Sequence, residues 1–214
     1  MKYKLIVFDM DGTILDTLED LKNSMNYTLK LYNMPERTLD EIRSFVGNGI
    51  RKLIERAVAD GTSDDMIEMI HKDFMKHYEV HCADFTKPYD GVNSLIQELR
   101  NRGYKTAVVS NKAHDAVLDL CDQYFPSLFD LALGEKPEIA KKPAPDMVNL
   151  ALKQLQISRE NAVYIGDSDV DVATARNSKL DMIAVDWGFR TREFLIAQGA
   201  ETIVSKPGEI LDLV

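Results

Sequence analysis

Lys4-Leu5-Ile6-Val7-Phe8-Asp9-Met10-Asp11-Gly12-Thr13-Ile14-Leu15-Asp16-Thr17 is the stretch on which the reading of this chain turns. Its first five residues are a short, continuous, β-branched apolar run, which suits a strand buried on both faces. The run breaks off into two acids and a glycine. The same pattern returns downstream: Thr106-Ala107-Val108-Val109 leads into Ser110-Asn111, and Ala162-Val163-Tyr164-Ile165 leads into Gly166-Asp167-Ser168. Met182–Val185 and the weaker Thr202–Val204 are further runs of this kind. Helical patterns lie between them at Val92–Arg102, Asp115–Tyr124, Pro145–Leu155 and Val170–Asn177, the first closed by Gly103. Strand-helix-strand alternation predicts an α/β fold with a Rossmann-like parallel sheet and helices on both faces.

Residues 17–86 read differently, with no good strand. Leu18–Leu31 is amphipathic, Thr38-Leu39-Asp40-Glu41 is a capping box, and Ile50–Ala59 and Asp64–His81 continue the helical pattern. The expectation is a helical domain at 17–86 inserted into an α/β core formed by 1–16 and 87–214.

In an open parallel sheet the residues that follow the strands share one edge, where ligands bind. Asp9, Asp11, Ser110, Asn111, Gly166 and Asp167 are therefore predicted to converge, with Asp169 and Asp171 close behind. Carboxylates crowded within a few ångströms disfavour one another's ionisation, so a cation must compensate. Oxygen donors with no His or Cys beside them point to Mg²⁺. Lys141-Lys142-Pro143 adds positive charge, although a lysine pair read alone is a solvated charge run. A divalent ion and a lysine facing carboxylates suit phosphoryl transfer. An aspartate ionised at neutral pH needs no base to attack, which makes Asp9 a nucleophile candidate. Asp11 is then placed to give a proton to the leaving oxygen and to take one from water. Gly12 lets the backbone approach a phosphate closely, and Ser110-Asn111 also reads as a helix N-cap.

Four segments resemble the motifs of the haloacid dehalogenase superfamily phosphatases, in the family's order. They are Asp9-Met10-Asp11-Gly12-Thr13-Ile14-Leu15-Asp16-Thr17, Ser110, Lys142-Pro143, and Gly166-Asp167-Ser168-Asp169-Val170-Asp171. The helical insert resembles the family's cap. The resemblance implies Asp9 as nucleophile and Asp11 as general acid/base, with Ser110 and Lys142 holding the phosphate. It also implies Mg²⁺ bound by Asp9, Asp167 and the Asp11 backbone carbonyl, with Asp171 supporting the metal, and a cap that closes over the substrate. Within the superfamily the chain is most similar to phosphoglycolate phosphatases, through Val46-Gly47-Asn48-Gly49-Ile50, Pro88-Tyr89-Asp90-Gly91-Val92, Ser110-Asn111-Lys112 and Asp186-Trp187-Gly188-Phe189. Asp90 stands where the family more often has Pro. Gly12, Thr13, Gly47, Asn48, Arg51, Asn111 and Lys112 are the substrate-binding candidates. Gly47-Asn48-Gly49 reads equally as a turn before a helix, and Arg51 as a surface arginine.

The rest of the sequence bounds the function. Asp+Glu 35 against Lys+Arg 26 gives a net charge of -9, which argues against nucleic acid or an anionic membrane as partner. Cys82 and Cys121 have no metal-ligand spacing and read as reduced thiols, so the expected compartment is the cytoplasm. The apolar run within Met1–Met10 is too short for a signal peptide or a membrane span. The expected partner is a small phosphorylated metabolite bound by a monomer or homodimer. A β-phosphoglucomutase-like phosphotransferase, a pyrophosphatase or a nucleotidase shares the same motifs. A phospho-acceptor signalling module is the non-enzyme alternative, and Asp11 with a cap argues for turnover instead. His77 and His81 read as a solvated helix face, and Cys82, Cys121, Met66 and Met69 as packing.

Overall fold

The computed structural model describes residues 2–214, so Met1 lies outside the described residues. The chain divides into two compact units, Met1–Leu15 with Pro88–Val214, and Asp16–Lys87.

The first unit is built on a six-stranded sheet. In chain order its strands are β1 (Leu5–Phe8), β4 (Lys105–Ala113), β5 (Leu131–Glu135), β6 (Ala162–Gly166), β7 (Asp181–Val185) and β8 (Ile203–Val204). Their spatial order is β5-β4-β1-β6-β7-β8, and every pair is parallel. β1 lies inside the sheet, and its four residues are closed to solvent. Leu5 and Val7 join one cluster with Val109, Tyr164 and the Met147–Leu152 side of helix α7 (Asp146–Leu155). Ile6 and Phe8 point to the opposite face, because side chains alternate along a strand, and they are equally buried. Both faces are therefore covered, which is why β1 reads as an unbroken apolar run.

Strand β5 is absent from the sequence reading. Leu131-Ala132-Leu133-Gly134 has no β-branched or aromatic residue, so its strand signal is weak. It forms because β4 offers it an open edge, and the pairing shifts register between Val109 and Ala113. Further helices of this unit are α5 (Val92–Asn101), α6 (His114–Tyr124), α8 (Asp169–Ser178) and the short α9 (Arg192–Ala197), the last also unpredicted. A separate two-stranded sheet pairs β2 (Leu15–Asp16) with β3 (Lys87–Pro88), the strands that carry the boundaries between the units.

The second unit is helical: α1 (Leu18–Leu31), α2 (Leu39–Phe45), α3 (Ile50–Ala57) and α4 (Asp64–His81). The Thr38–Glu41 capping box forms at α2. Leu21, Met25 and Leu29 of α1 and Ile70 and Phe74 of α4 are buried at helical spacing. Asp20 is buried too. Its carboxylate accepts the backbone N–H groups of Phe85 and Thr86, tying the end of the unit to its first helix.

Two readings of α4 need correction. Met66 and Met69 are exposed, not packed, because α4 turns them away from the Ile67–Ile70–Phe74 stripe. His77 is no solvated face residue: its ring stacks between Tyr27 at 4.0 Å and His81 at 4.3 Å, and its Nδ1 lies 3.0 Å from Ser24 Oγ. No helix among the described residues is long and apolar enough to cross a membrane.

Candidate active site

Register places the site. Phe8 pairs with Val108 on one side and Ile165 on the other, so β1, β4 and β6 end at one level. Asp9, Ser110 and Asp167 follow those ends, and the Asp9 N–H still donates to the Ile165 carbonyl at 2.9 Å. One carboxylate oxygen from each of Asp9, Asp167 and Asp171 lies within 4.8 Å of the others, and all three residues are buried.

Lys142 enters from the far side. Its Nζ is 2.7 Å from Asp9 Oδ1, 2.8 Å from Asp171 Oδ1 and 3.1 Å from the Tyr164 hydroxyl. Asn111 fixes the lysine's backbone: its amide oxygen accepts the Lys142 N–H at 2.8 Å and its Nδ2 donates to the Lys142 carbonyl at 3.0 Å. Lys141 points away, exposed and 3.6 Å from Glu135. Of the two lysines, only the one facing the acids is buried, which the sequence did not separate.

Asp171 has further donors. The Ser168 N–H and hydroxyl reach its Oδ2 at 3.1 and 2.6 Å, and the Tyr164 hydroxyl reaches Oδ1 at 3.0 Å. Ser168 and Asp171 form a capping box at the start of α8, which holds the acid against the cluster. Asp167 accepts the Thr13 hydroxyl at 2.9 Å on Oδ1 and the Phe189 N–H at 2.7 Å on Oδ2.

The loop Asp186–Arg190 after β7 is therefore part of the site. The Trp187 indole N–H donates to the Thr13 carbonyl at 3.1 Å. Gly12 has φ +88°, and a side chain there would put Cβ 2.4 Å from Asp167 Oδ2. At Gly188 a Cβ would stand 2.2 Å from the Gly12 carbonyl and 2.4 Å from the same carboxylate oxygen. Only glycine allows these two backbones to close on Asp167. Tyr164 was missed as a site residue. Its signal was a hydroxyl inside an otherwise aliphatic buried strand, which needs a polar partner.

The electrostatics differ from group to group. Burial, then Asp171, raises the Asp9 carboxyl well above the usual carboxylate range, against a lowering pull from Lys142. Positive charge around Asp9 favours its anionic form. Burial, then Asp171, pushes Asp167 up to about 7. Burial pushes Asp171 up as well, but Lys142 and the Ser168 and Tyr164 donors outweigh it and hold this acid low. Burial would discharge Lys142, but Asp171 and Asp9 outweigh that and keep it an ammonium. Three buried carboxylates face one ammonium, a donor set of hard oxygens with excess negative charge. It fits a hard divalent cation.

The other candidates fall into two groups. Ser110 is buried at the edge, its hydroxyl accepting the Lys112 N–H at 3.2 Å. The Asp11 side chain is outside the three-acid cluster and pairs with Lys112. Asp169 pairs with Arg190 at 3.4 Å. Gly47, Asn48 and Arg51 belong to the helical unit. There the Asn48 side-chain oxygen Oδ1 accepts from Arg56 at 2.8 Å, and Arg51 is ion-paired with Glu55 and Glu68.

The carboxyl edge of the parallel sheet thus gathers three buried acids, a buried lysine and a glycine turn, a set suited to hydrolytic chemistry on a phosphate. The chain matches the model of the haloacid dehalogenase-like hydrolases over residues 6–185 and belongs to that family. It is 29% identical to the phosphoglycolate phosphatase of Aquifex aeolicus, over 99% of this chain and 96% of that one. It is 28% identical to the N-acetylmuramic acid 6-phosphate phosphatase of Pseudomonas aeruginosa, over 100% and 96%. A solved structure from Lactobacillus delbrueckii subsp. bulgaricus, provisionally assigned as a phosphoglycolate phosphatase, superposes with a TM-score of 0.96. It is 38% identical and covers 100% of this chain and 98% of that one. The chain is thus an enzyme, a phosphatase similar to phosphoglycolate phosphatases.

Proposed function

We propose that the chain is a Mg²⁺-dependent phosphatase that hydrolyses a small phosphomonoester, phosphoglycolate first among candidates, through an aspartyl-phosphate on Asp9. The observation that carries this reading is the meeting of Asp9 with Lys142, Asp167 and Asp171 at the carboxyl edge of the sheet.

Asp9, Asp167 and the Asp11 backbone carbonyl would hold the ion, with Asp171 beside it; when bound it neutralises charge on the acids and on the phosphate. In the first step an Asp9 carboxylate oxygen attacks phosphorus. The bond to the leaving oxygen breaks, and Asp11 gives that oxygen its proton. In the second step water attacks the phosphorus, Asp11 takes the water's proton, and the electron pair returns to Asp9. Lys142 and Ser110 hold the phosphate oxygens. The Lys142 ammonium also keeps Asp9 available as an anion. Thr13, Phe189 and Gly12 fix the direction of Asp167.

The helical unit Asp16–Lys87 takes the part of the cap, and Gly47, Asn48 and Arg51 are its candidates for substrate contact. Arg51 would have to exchange Glu55 and Glu68 for a substrate anion. Both cysteines are free thiols, which supports a cytoplasmic setting.

The test is phosphate release from phosphoglycolate, N-acetylmuramic acid 6-phosphate, hexose phosphates, pyrophosphate and nucleoside monophosphates, with and without Mg²⁺. Asp9→Asn should lose at least about 10³-fold in turnover with an unchanged melting temperature. Wild-type turnover in that variant would end the assignment.

A further inference from the structure

We propose that Lys112 is a positioning residue for Asp11, and that it serves chiefly the second half of the reaction, the transfer of the phosphoryl group from Asp9 to water. This rests on the phosphoenzyme reading above.

Sequence pattern made Lys112 a substrate contact; the geometry points elsewhere. Its Nζ lies 3.3 Å from Asp11 Oδ1, with side-chain exposures of 6% and 22%. The pair spans 101 positions of chain and is built by register. Phe8 sits beside Val108, so the residues that leave β1 run alongside the end of β4. There the lysine is buried, between the half-buried Asn111 and the exposed Ala113. A buried ammonium is tolerated only against an anion, and Asp11 is a carboxylate it meets.

The two acids of the first motif are thereby tied to different lysines. Lys142 holds Asp9 and shares itself with Asp171, while Lys112 holds Asp11. The division matters at one moment of the cycle. While substrate is present, its leaving oxygen can help to place the Asp11 carboxyl. After that group departs, nothing of the substrate but the phosphoryl group remains. The orientation of Asp11 toward the attacking water then falls to the protein. Proton transfer is steep in geometry, and the ion pair removes the freedom of the Asp11 side-chain torsions.

The experiment uses p-nitrophenyl phosphate with Mg²⁺, because its leaving phenolate needs no proton and the second step is isolated. In Lys112→Met, kcat should fall about 10- to 100-fold while KM falls with it or stays level. Rapid mixing should show a burst of nitrophenol close to one per enzyme, and acid quenching should recover phosphorylated protein. Lys112→Arg, which keeps the charge, should restore part of kcat. If Lys112→Met melts below the assay temperature, Lys112→Gln takes its place. A raised KM with unchanged kcat would make Lys112 a substrate contact and overturn the proposal, as would wild-type values for both. If neither wild type nor Asp11→Asn yields phosphorylated protein on quenching, the phosphoenzyme reading itself falls. That result is separate from any shift in KM.

Discussion

Lys142 Nζ stands 2.7 Å from Asp9 Oδ1, and the two side chains are 3% and 10% exposed. The same ammonium is 2.8 Å from Asp171, so one cation serves two acids in a place where water cannot. Its charge lowers the cost of ionising Asp9 but does not cancel it, since burial and Asp171 still hold that carboxyl high. The unmet negative charge of the cluster is the physical reason for a divalent ion at this site.

Metal affinity should therefore depend on pH. Burial, then Asp171, pushes Asp167 up to about 7, and a metal ion requires the deprotonated form. Below about pH 7 the proton competes, so apparent Mg²⁺ affinity should fall as pH falls, by up to about tenfold per unit. Calorimetric titration of Mg²⁺ into the protein at several pH values, with proton release measured in two buffers, checks this. Affinity unchanged between pH 8 and pH 6 would count against the carboxylate cluster as the ligand set.

Gly188→Ala should be severe for so small a change. The added carbon would meet the Gly12 carbonyl at 2.2 Å and Asp167 at 2.4 Å, and neither is the end of a flexible chain. Overpacking of this kind costs about 1–3 kcal/mol, and displacement of Asp167 should weaken Mg²⁺ binding about 10- to 100-fold. The chain has one tryptophan, and Trp187 is bonded to the same turn. Its emission should shift in the variant, and unaltered emission with intact metal binding would contradict the close packing.

Asp20→Ala should destabilise the helical unit by about 3 kcal/mol. It removes the acceptor of the Phe85 and Thr86 N–H groups, bonded at 3.0 and 2.8 Å, the second of them in a buried bond. Asp20→Asn, which keeps one acceptor, should lose less. Denaturant unfolding reads both, and equal losses would argue that charge, not acceptor count, matters there.

His77 should make stability pH-dependent. Burial, then the neighbouring His81, holds it below its usual value, against a weaker opposite pull from Asp84. The unfolded chain takes up a proton near pH 6.5, before the folded one does. Stability then rises with pH across that window. It is lost as pH drops from about 6.5 toward the lowered folded value, and is flat below it. Thermal melts of wild type and His77→Phe between pH 5 and 7.5 should differ by this slope; parallel curves would refute the assignment.

Sequence alone carried the parallel α/β core and the meeting of Asp9 with Asp167 at one edge of its sheet. Each depends on short-range patterns: an apolar run buried on both faces, polar residues at its end, and helical spacing between. It did not carry β5, whose residues prefer no strand until the β4 edge offers hydrogen bonds. Nor did it separate Lys142 from Lys141, Tyr164 from its aliphatic neighbours, or Lys112 from a substrate contact. Those distinctions rest on partnerships such as Lys142 with Tyr164, 22 residues on, and Lys112 with Asp11, 101 residues away. Only packing decides which charge loses its water, and only then does a partner become obligatory.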